Sequence, residues 1–292
     1  MKTPTRTLAA LGLATTLTLT TAACTAVPEN ETSLDLIPHI HDVAFDPDGA
    51  LLVGAHTGVY RVDTETDDIS LVGQTTFDAM GLTAQGDTIL ASGHPDPANQ
   101  DHTFTAPNVG LVRYTDAGWE QVSLAGLTDF HLLAASPAAP DFLLGLPSDQ
   151  PVLTASDDAG QTWVDVGPLT ARDISIDTMK ADVVTATTPD GLMVSRDAAG
   201  TFTLVANAPA LVVITADPTV EEGIIGVAPD GKIWTGSTTE GAVWKTAGHA
   251  IGAASAIAAS FDGAVAIADE GGVRVTTDAG TTWRTVIRTD AP

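Results

Sequence analysis

Short apolar runs separated by polar turns recur along the chain from about residue 34 onwards. The runs are rich in Val, Ile, Leu and Thr, and they alternate with turns such as the Pro-Asp-Gly triplets at 47–49, 189–191 and 229–231. Runs of this length bounded by Gly, Pro and Asp indicate β-strands joined by tight turns. No stretch beyond residue 24 has the 3.6-residue period of an amphipathic helix. The pattern therefore predicts an all-β protein.

The strand pattern repeats roughly every forty residues, a spacing typical of β-propeller blades. Each repeat consists of a first apolar strand and three further strands. The repeats start near Asp42, Met80, His131, Arg172, Val212 and Ser255. We predict a six-bladed β-propeller over residues 39–292, with seven blades as the alternative. Residues 25–38 are expected to form a tether, and its segment 34–38 could pair with the last blade and close the ring.

A second pattern marks the turns between third and fourth strands. Residues 156–163 and 276–283 both read S/T-x-D-x-G-x-T-W, and 195–202 and 115–119 are degenerate copies. In such a turn a carboxylate accepts N–H bonds, glycine supplies a positive φ, and the aromatic ring packs beneath the hairpin. The predicted structural residues are Ser156, Asp158, Gly160, Trp163, Asp197, Gly200, Thr276, Asp278, Gly280 and Trp283.

This turn pattern resembles the Asp-box, or BNR, repeat of bacterial sialidases, sortilin-type receptors and photosystem II assembly-factor propellers. The resemblance implies that the turns lie at the end of the propeller opposite the usual site. It does not extend to the sialidase constellation of three arginines, a tyrosine nucleophile paired with glutamate, and an aspartate. Only Arg172 lies at a channel-facing strand start, and Tyr60 and Tyr114 fall in third strands. Sialidase activity is therefore not expected.

Six of the seven histidines lie between residues 39 and 131, in the first three predicted blades. By register, His41 and His131 are equivalent first-strand starts, with Met80 between them, and His56 and His94 are equivalent second-strand ends. Both kinds of position open onto one end of a propeller, so a shared site is expected there. The candidate ligands are His39, His41, His56, Met80, His94, Asp96, His102 and His131, and Asp78 and Asp129 are further nearby carboxylates. Histidines that cap turns or pair with buried carboxylates are the alternative.

Imidazoles combined with the Met80 thioether favour copper, whereas imidazoles and carboxylates alone favour zinc. We expect copper first and zinc as the alternative, because Met80 can equally be core filler. Cys24 is the only cysteine, so a thiolate site or a disulfide framework is excluded.

The N-terminus predicts export. Lys2 and Arg6 precede an apolar stretch, residues 8–23, that is too short for a spanning helix. Its end, Thr21-Ala22-Ala23-Cys24, resembles the lipobox of bacterial lipoproteins, which implies a signal peptide over 1–24 and a lipid on Cys24. We therefore expect an anchor on the extracytoplasmic face of a cell membrane. An ordinary secretory signal is the alternative.

The chain is strongly acidic, with 37 Asp and Glu against 12 Lys and Arg and a formal charge of −25. Removing residues 1–24 takes away two basic side chains and no acidic one, which leaves −27. Such a charge repels nucleic acid and therefore excludes a nucleic-acid-binding role.

A closer resemblance is to small bacterial BNR-repeat lipoproteins with a His-x-His motif and a Ser-Gly-His-Pro-Asp motif, here at 39–47 and 92–96. Their biochemical role is undefined, and their glycosyl-hydrolase label rests on fold analogy. We expect a surface-anchored propeller that binds a metal or small ligand at its histidines, or acts as a scaffold for another exported protein. The alternative is a hydrolase of sialidase-like fold, with a histidine or a metal-bound water as base.

Overall fold

The computed structural model describes residues 39–96 and 103–288, together with Met1 and Ile37. Within these residues it contains 24 β-strands and no helix. Each run of four consecutive strands forms one antiparallel sheet, giving six sheets. The first three sheets are β1 (Ile40–Phe45), β2 (Leu51–Ala55), β3 (Gly58–Val62), β4 (Ile69–Leu71); β5 (Phe77–Gln85), β6 (Thr88–Pro95), β7 (Leu111–Thr115), β8 (Gly118–Ser123); and β9 (Phe130–Ala135), β10 (Leu143–Pro147), β11 (Val152–Ser156), β12 (Val164–Pro168).

The other three sheets continue the same arrangement along the chain. They are β13 (Asp173–Ile176), β14 (Val184–Thr188), β15 (Gly191–Ser195), β16 (Thr203–Leu204); β17 (Val213–Ala216), β18 (Gly223–Val227), β19 (Lys232–Ser237), β20 (Lys245–His249); and β21 (Ala254–Ala259), β22 (Val265–Asp269), β23 (Gly272–Thr276), β24 (Arg284–Arg288). The first strands of successive sheets pack side by side, and β21 packs against β1. The sheets therefore form a closed ring, which confirms the six-bladed β-propeller, and the alternative of seven blades is wrong.

Each seam between neighbouring blades has its own apolar core. Leu52 and Val59 of blade one pack on Phe77 and Val112 of blade two, for example. Similar clusters lie between blades two and three, three and four, four and five, and five and six. The sixth cluster joins blade one to blade six through residues such as Leu51, Val53, Ala266 and Val273. Burial of apolar side chains at every seam holds the ring together.

The segment 34–38, which we expected to pair with the last blade, lies outside the described residues except for Ile37. Ile37 is buried in the core between blades one and six. At the same seam Arg284 of β24 bonds to Asp67 and to the Thr64 carbonyl after β3. Side-chain packing and this polar contact thus connect the first and last blades.

The antiparallel order defines two ends of the propeller. The first strand of each blade starts, and the second strand finishes, at one end, which carries His41, His56, His94 and His131. We call this the histidine end. The turns between third and fourth strands lie at the other end, the turn end. No helix in the described part of the chain is long and apolar enough to span a membrane.

The turns at 156–163 and 276–283 have the same hydrogen bonds. Asp158 Oδ1 accepts from Thr162 N at 2.8 Å, and Asp158 Oδ2 accepts from Thr162 Oγ1 at 2.7 Å. Asp278 makes the same two bonds with Thr282. Gly160 and Gly280 have φ values of 85° and 84°, a region that glycine tolerates without a steric penalty.

The two degenerate turns differ from our expectation. In the turn at 195–202 Asp197 keeps both bonds, to Thr201. The position equivalent to Gly160 is occupied by Ala199, with a φ of 71°, whereas Gly200 lies one residue later. At 115–119 the strands pair as far as Thr115 and Gly118, so the turn is a two-residue hairpin and not a copy of the longer loop.

Candidate metal centre

A β-bulge lies at the start of the first strand in blades one, two and three. The pairing of β1, β5 and β9 with their neighbours skips one residue in each case, namely His41, Met80 and His131. Blade six has the same irregularity at Ser255. An extra residue in one strand redirects its side chain, and His41, Met80 and His131 all line the central cavity. The bulge therefore positions equivalent side chains from three neighbouring blades.

Near the end of β6, each residue of the sequence Ser92-Gly93-His94 contributes to the site in a different way. Ser92, fully buried, accepts a hydrogen bond from Phe130 N at 2.9 Å and so fixes the start of blade three. Gly93 has a φ of 148°, and a Cβ there would lie 1.8 Å from Asp78 O. Only glycine can pass the bulged strand so closely. His94 is thereby held beside the start of blade three.

The first group of ligands, the Asp78 cluster, consists of His41, His56 and Asp78. Asp78 Oδ1 lies 3.1 Å from His41 Nε2 and 2.9 Å from His56 Nδ1. The two ring nitrogens are 3.3 Å apart. The two histidines come from blade one and the carboxylate comes from the start of blade two, so the cluster spans a seam.

The second group, the Asp129 cluster, consists of His94, Asp129 and His131. Asp129 Oδ2 lies 3.0 Å from His94 Nε2 and 2.7 Å from His131 Nε2. The Asp129 side chain is buried, whereas both histidines are 42% exposed. His94 comes from blade two and the other residues from the start of blade three, so this cluster spans the next seam. Each cluster offers three atoms that can hold a metal ion.

The carboxylate oxygens of the clusters lack ordinary hydrogen bonds. No described residue donates a bond of acceptable geometry to Asp78 Oδ1 or to either oxygen of Asp129, although four imidazole nitrogens lie within 3.1 Å. His94 Nδ1 lies 3.3 Å from the Pro107 carbonyl, which can only accept. With its proton on Nδ1, His94 presents a lone pair at Nε2 to the Asp129 carboxylate. A cation or an additional proton is needed between these two acceptors.

The two clusters influence each other electrostatically. Burial lowers the pKa of His41; Asp78 opposes this shift, and the neighbouring His56, His131 and His39 add to it. Contact with Asp129 raises the pKa of His131 against the effect of burial, and Asp78 raises it further. His131 therefore responds to the carboxylates of both clusters, which lie at the same channel mouth.

The structure brings four of the predicted histidines into two clusters and leaves the other candidates outside them. The His39 ring lies edge-on to His56, with centroids 4.9 Å apart, and Asp96 accepts a hydrogen bond from Thr76 Oγ1 at 2.9 Å. Met80 lines the cavity beside the clusters. His102 and Cys24 lie outside the described residues.

Asp78 and Asp129, which the register argument treated only as nearby carboxylates, are central to the clusters. Asp78 and Asp129 each lie two residues before a bulge residue, Met80 or His131. This spacing was visible in the sequence. The role of these two aspartates follows from this spacing only once the bulge and the packing of one blade against the next are known.

A second pair of carboxylates, Asp42 and Asp173, was missed altogether. Each faces the cavity from a first strand and bonds across a seam: Asp42 Oδ2 accepts from Leu82 N at 2.9 Å, and Asp173 Oδ2 from Ile214 N at 2.7 Å. Burial raises the pKa of Asp42 to about 8 and that of Asp173 to about 7, although these N–H donors act in the opposite direction. The pair joins neighbouring blades around the channel.

No protein-family profile matches the chain, and no curated protein resembles it significantly in sequence. Solved structures do resemble it. A GH74 enzyme from Niastella koreensis has a TM-score of 0.57 and 18% identity, covering 84% of this chain and 37% of that one. A GH74 xyloglucanase from Xanthomonas campestris has a TM-score of 0.57 and 15% identity, covering 85% and 45%.

A structure of a nidogen/laminin complex has a TM-score of 0.61 and 12% identity, covering 82% of this chain and 95% of that one. The chain spans less than half the length of either GH74 chain described above. At these identities the likeness concerns the fold alone: the protein is a β-propeller similar to those of GH74 glycoside hydrolases.

Proposed function

We propose that this protein is an extracytoplasmic β-propeller that binds divalent transition-metal ions at its histidine end, one ion in each cluster. The observation that carries the proposal is the close approach of two imidazole nitrogens to one carboxylate oxygen in each cluster. Imidazole nitrogens surround Asp78 Oδ1 and Asp129 Oδ2 at 2.7–3.1 Å without donating acceptable hydrogen bonds to them. This arrangement is expected when ring lone pairs and a carboxylate converge on an ion between them rather than on each other.

The spacing of the Asp78 cluster has the dimensions of a metal site. Its three ligand atoms are 2.9, 3.1 and 3.3 Å apart. The circle through them has a radius of about 1.8 Å, so an ion at the usual bond length of about 2.0–2.1 Å would lie roughly 1 Å out of their plane. A fourth position would then stay open towards the cavity, as in catalytic rather than structural zinc sites.

Zn²⁺ and Cu²⁺ are the candidate ions. Two imidazoles and one carboxylate in each cluster favour zinc, whereas participation of the Met80 thioether would favour copper. The His94 contact with the Pro107 carbonyl supports metal binding in either case, because it keeps Nε2 free of a proton.

The test is metal analysis of the purified protein after removal of metals with a chelator and dialysis against Zn²⁺ or Cu²⁺. We expect two ions per chain, one fewer in His41→Ala, one fewer in His131→Ala and none in the double variant. Electron paramagnetic resonance of the Cu²⁺ form should show nitrogen coordination.

The matched control is His249→Ala, because His249 lies in β20 of blade five, outside both clusters. This variant should keep both ions. If the protein binds no stoichiometric Zn²⁺ or Cu²⁺ at micromolar concentration, the metal proposal is wrong. The clusters would then be imidazolium–carboxylate pairs in an acid/base or ligand pocket.

We also propose that Cys24 carries a lipid and anchors the propeller to the extracytoplasmic face of the membrane. The support is the lipobox-like sequence 21–24 and the short apolar stretch before it. Wild-type protein should fractionate with membranes, and Cys24→Ser should be released or remain uncleaved. Wild-type protein found wholly in the medium would contradict this proposal.

A glycoside hydrolase with a site unlike that of sialidases is the second candidate function. One observation favours it: the fold resembles GH74 enzymes, one of which is named as a xyloglucanase. Incubation with a panel of polysaccharides, xyloglucan included, should then release reducing sugar. Asp78→Asn or Asp129→Asn should abolish that release, and activity retained in both variants would exclude these carboxylates as the site.

A further inference from the structure

One histidine of each cluster, His41 or His131, lines a cavity with a volume of about 510 Å³ in the central channel. First-strand residues of all six blades line it. His41, Met80 and His131 contribute from blades one to three, and Arg172 contributes from blade four. In a six-bladed ring blade four lies opposite blade one. The cavity therefore has imidazoles on one wall and a guanidinium group on the other.

Arg172 differs from most cations of this acidic chain. Seven of the ten Lys and Arg residues in the described part of the chain form ion pairs: Arg61, Arg113, Lys180, Arg196, Lys232, Arg274 and Arg284. Arg172 has no described carboxylate oxygen within 4.0 Å, although 37 Asp and Glu are present in the sequence. It is exposed, and it is the only described Lys or Arg on the cavity wall.

Two carboxylates that line the cavity, Asp173 and Asp42, are already engaged in hydrogen bonds. Asp173, the neighbour of Arg172, accepts from Ile174 N at 2.8 Å and from Ile214 N at 2.7 Å. Asp42 accepts from Val43 N and Leu82 N in the same way. Each oxygen of both side chains thus has a backbone donor. The five N–H donors of the Arg172 guanidinium remain for another acceptor.

We infer that the cavity binds a small molecule with two anionic oxygen groups, one on the ions held by the clusters and the other on Arg172. The inference rests on the proposed metal sites and names the class of ligand that they take. Carboxylate and phosphate groups both suit a guanidinium fork and an open metal position. The cavity volume of about 510 Å³ lies in the usual range for pockets that bind small molecules, so a compact dianion fits within it.

The experiment uses isothermal titration calorimetry of the metal-loaded protein with dicarboxylates of increasing length, from malonate to adipate. Phosphoglycolate and acetate are measured in parallel. We expect an optimum chain length and binding at least about tenfold weaker for acetate, because it has a single anionic group. Preference for phosphoglycolate over every dicarboxylate would assign one of the two anionic groups to phosphate.

The decisive variant is Arg172→Gln, which removes the charge and keeps a polar side chain. It should weaken binding of the best probe at least about tenfold while the metal content stays at two ions per chain. Lys245→Gln is the matched control, because Lys245 also lacks a described ion-pair partner but lies outside the cavity lining. It should bind the probe like the wild type.

The results separate this inference from the proposed function. If two ions bind but no probe does, or if Arg172→Gln binds the probe like the wild type, the inference is wrong and the metal proposal stands. If no ion binds, the metal proposal fails. The metal-free protein is then titrated with the same probe. If it does not bind the dianion, or binds it without dependence on Arg172, the inference is wrong too.

Discussion

Two carboxylates, Asp78 and Asp129, determine how the imidazoles of the site are arranged. Each contacts two histidines that are well separated along the chain. Removal of one carboxylate charge should therefore affect one cluster and leave the other intact.

We predict that Asp129→Asn reduces the bound metal from two ions per chain to one. The amide is a weaker ligand than the carboxylate and cannot neutralise the ion. Metal analysis after dialysis measures the loss, and Asp96→Asn serves as control, because Asp96 belongs to neither cluster. Equal metal content in Asp129→Asn and wild type would contradict the role given to Asp129.

The pH dependence of the free energy of unfolding tests the raised pKa of Asp173. Its pKa of about 7 in the folded protein exceeds the ordinary value of 3.8. Protonated Asp173 therefore makes its full contribution to the free energy of unfolding below about pH 4. This contribution is lost as the pH rises from 4 to 7. We predict that Asp173→Asn has a lower free energy of unfolding at pH 4 but a smaller decline between pH 4 and 7, measured by urea denaturation.

Asp158→Asn is the comparison for this experiment, since the pKa of Asp158 is lowered to about 2 by its bonds to Thr162 and Ser156. That variant should lower the free energy of unfolding by a constant amount above about pH 4 and change the slope of the profile only below about pH 4, where the stabilising charge of the wild type is lost. Part of the decline between pH 4 and 7 should persist in Asp173→Asn, because Asp42 has a pKa of about 8. An unchanged slope in Asp173→Asn would contradict the assignment.

The sequence indicated the histidines and named Asp78 and Asp129 as nearby carboxylates, but it did not indicate which histidines each carboxylate contacts. His41 and His131, and likewise His56 and His94, are equivalent in the repeat, and repeat position is readable from spacing alone. The roles of Asp78 and Asp129 depend on the seam between two blades, which a pattern within one blade does not describe. For the same reason Asp42 and Asp173 were missed, since their bonds cross to the next blade.

At the scale of the strand, the β-bulge brings equivalent side chains of neighbouring repeats together at the channel. His41, Met80 and His131 are the skipped residues of three equivalent strands, and Met80 has a histidine-bearing bulge on either side. A side chain placed at any of these three positions should therefore point in the same direction, towards the central cavity.

We predict that Met80→His adds an imidazole between the clusters, raises the affinity for Zn²⁺ and lowers any preference for Cu⁺. The thioether is a softer ligand than imidazole, which explains the direction of both changes. Competition with a chromophoric chelator measures the affinities. Val212→His, at the start of blade five, is the control and should leave them unchanged; an equal effect of both variants would show that the bulge is irrelevant.

At the scale of the molecule, the ring depends on six seams of similar construction. The seam between blades one and six contains the fully buried Leu51, and the seam between blades three and four contains the fully buried Leu144. The repeat length predicted the blades and their number correctly. It did not predict how the seam between the first and last blades is packed, because that contact joins residues more than two hundred positions apart.

We predict that Leu51→Ala and Leu144→Ala each lower the free energy of unfolding by about 2–5 kcal/mol, the usual cost of a cavity at a fully buried leucine. Urea denaturation followed by tryptophan fluorescence and by circular dichroism should show one transition in both variants. A much smaller loss in Leu51→Ala would mean that the seam between blades one and six contributes little to stability.

Because every sheet is formed by four consecutive strands, each blade corresponds to one uninterrupted segment of the gene. Duplication or deletion of such a segment adds or removes a whole sheet without dividing any other. Each cluster combines the histidine at the second-strand end of one blade with the aspartate two residues before the bulge of the next blade. Its other histidine is a bulge residue, from the first of the two blades in the Asp78 cluster and from the second in the Asp129 cluster. An additional copy of blade two with histidine at its bulge would therefore bring one more cluster with it, so the metal capacity of such a propeller can grow by the copying of a single segment.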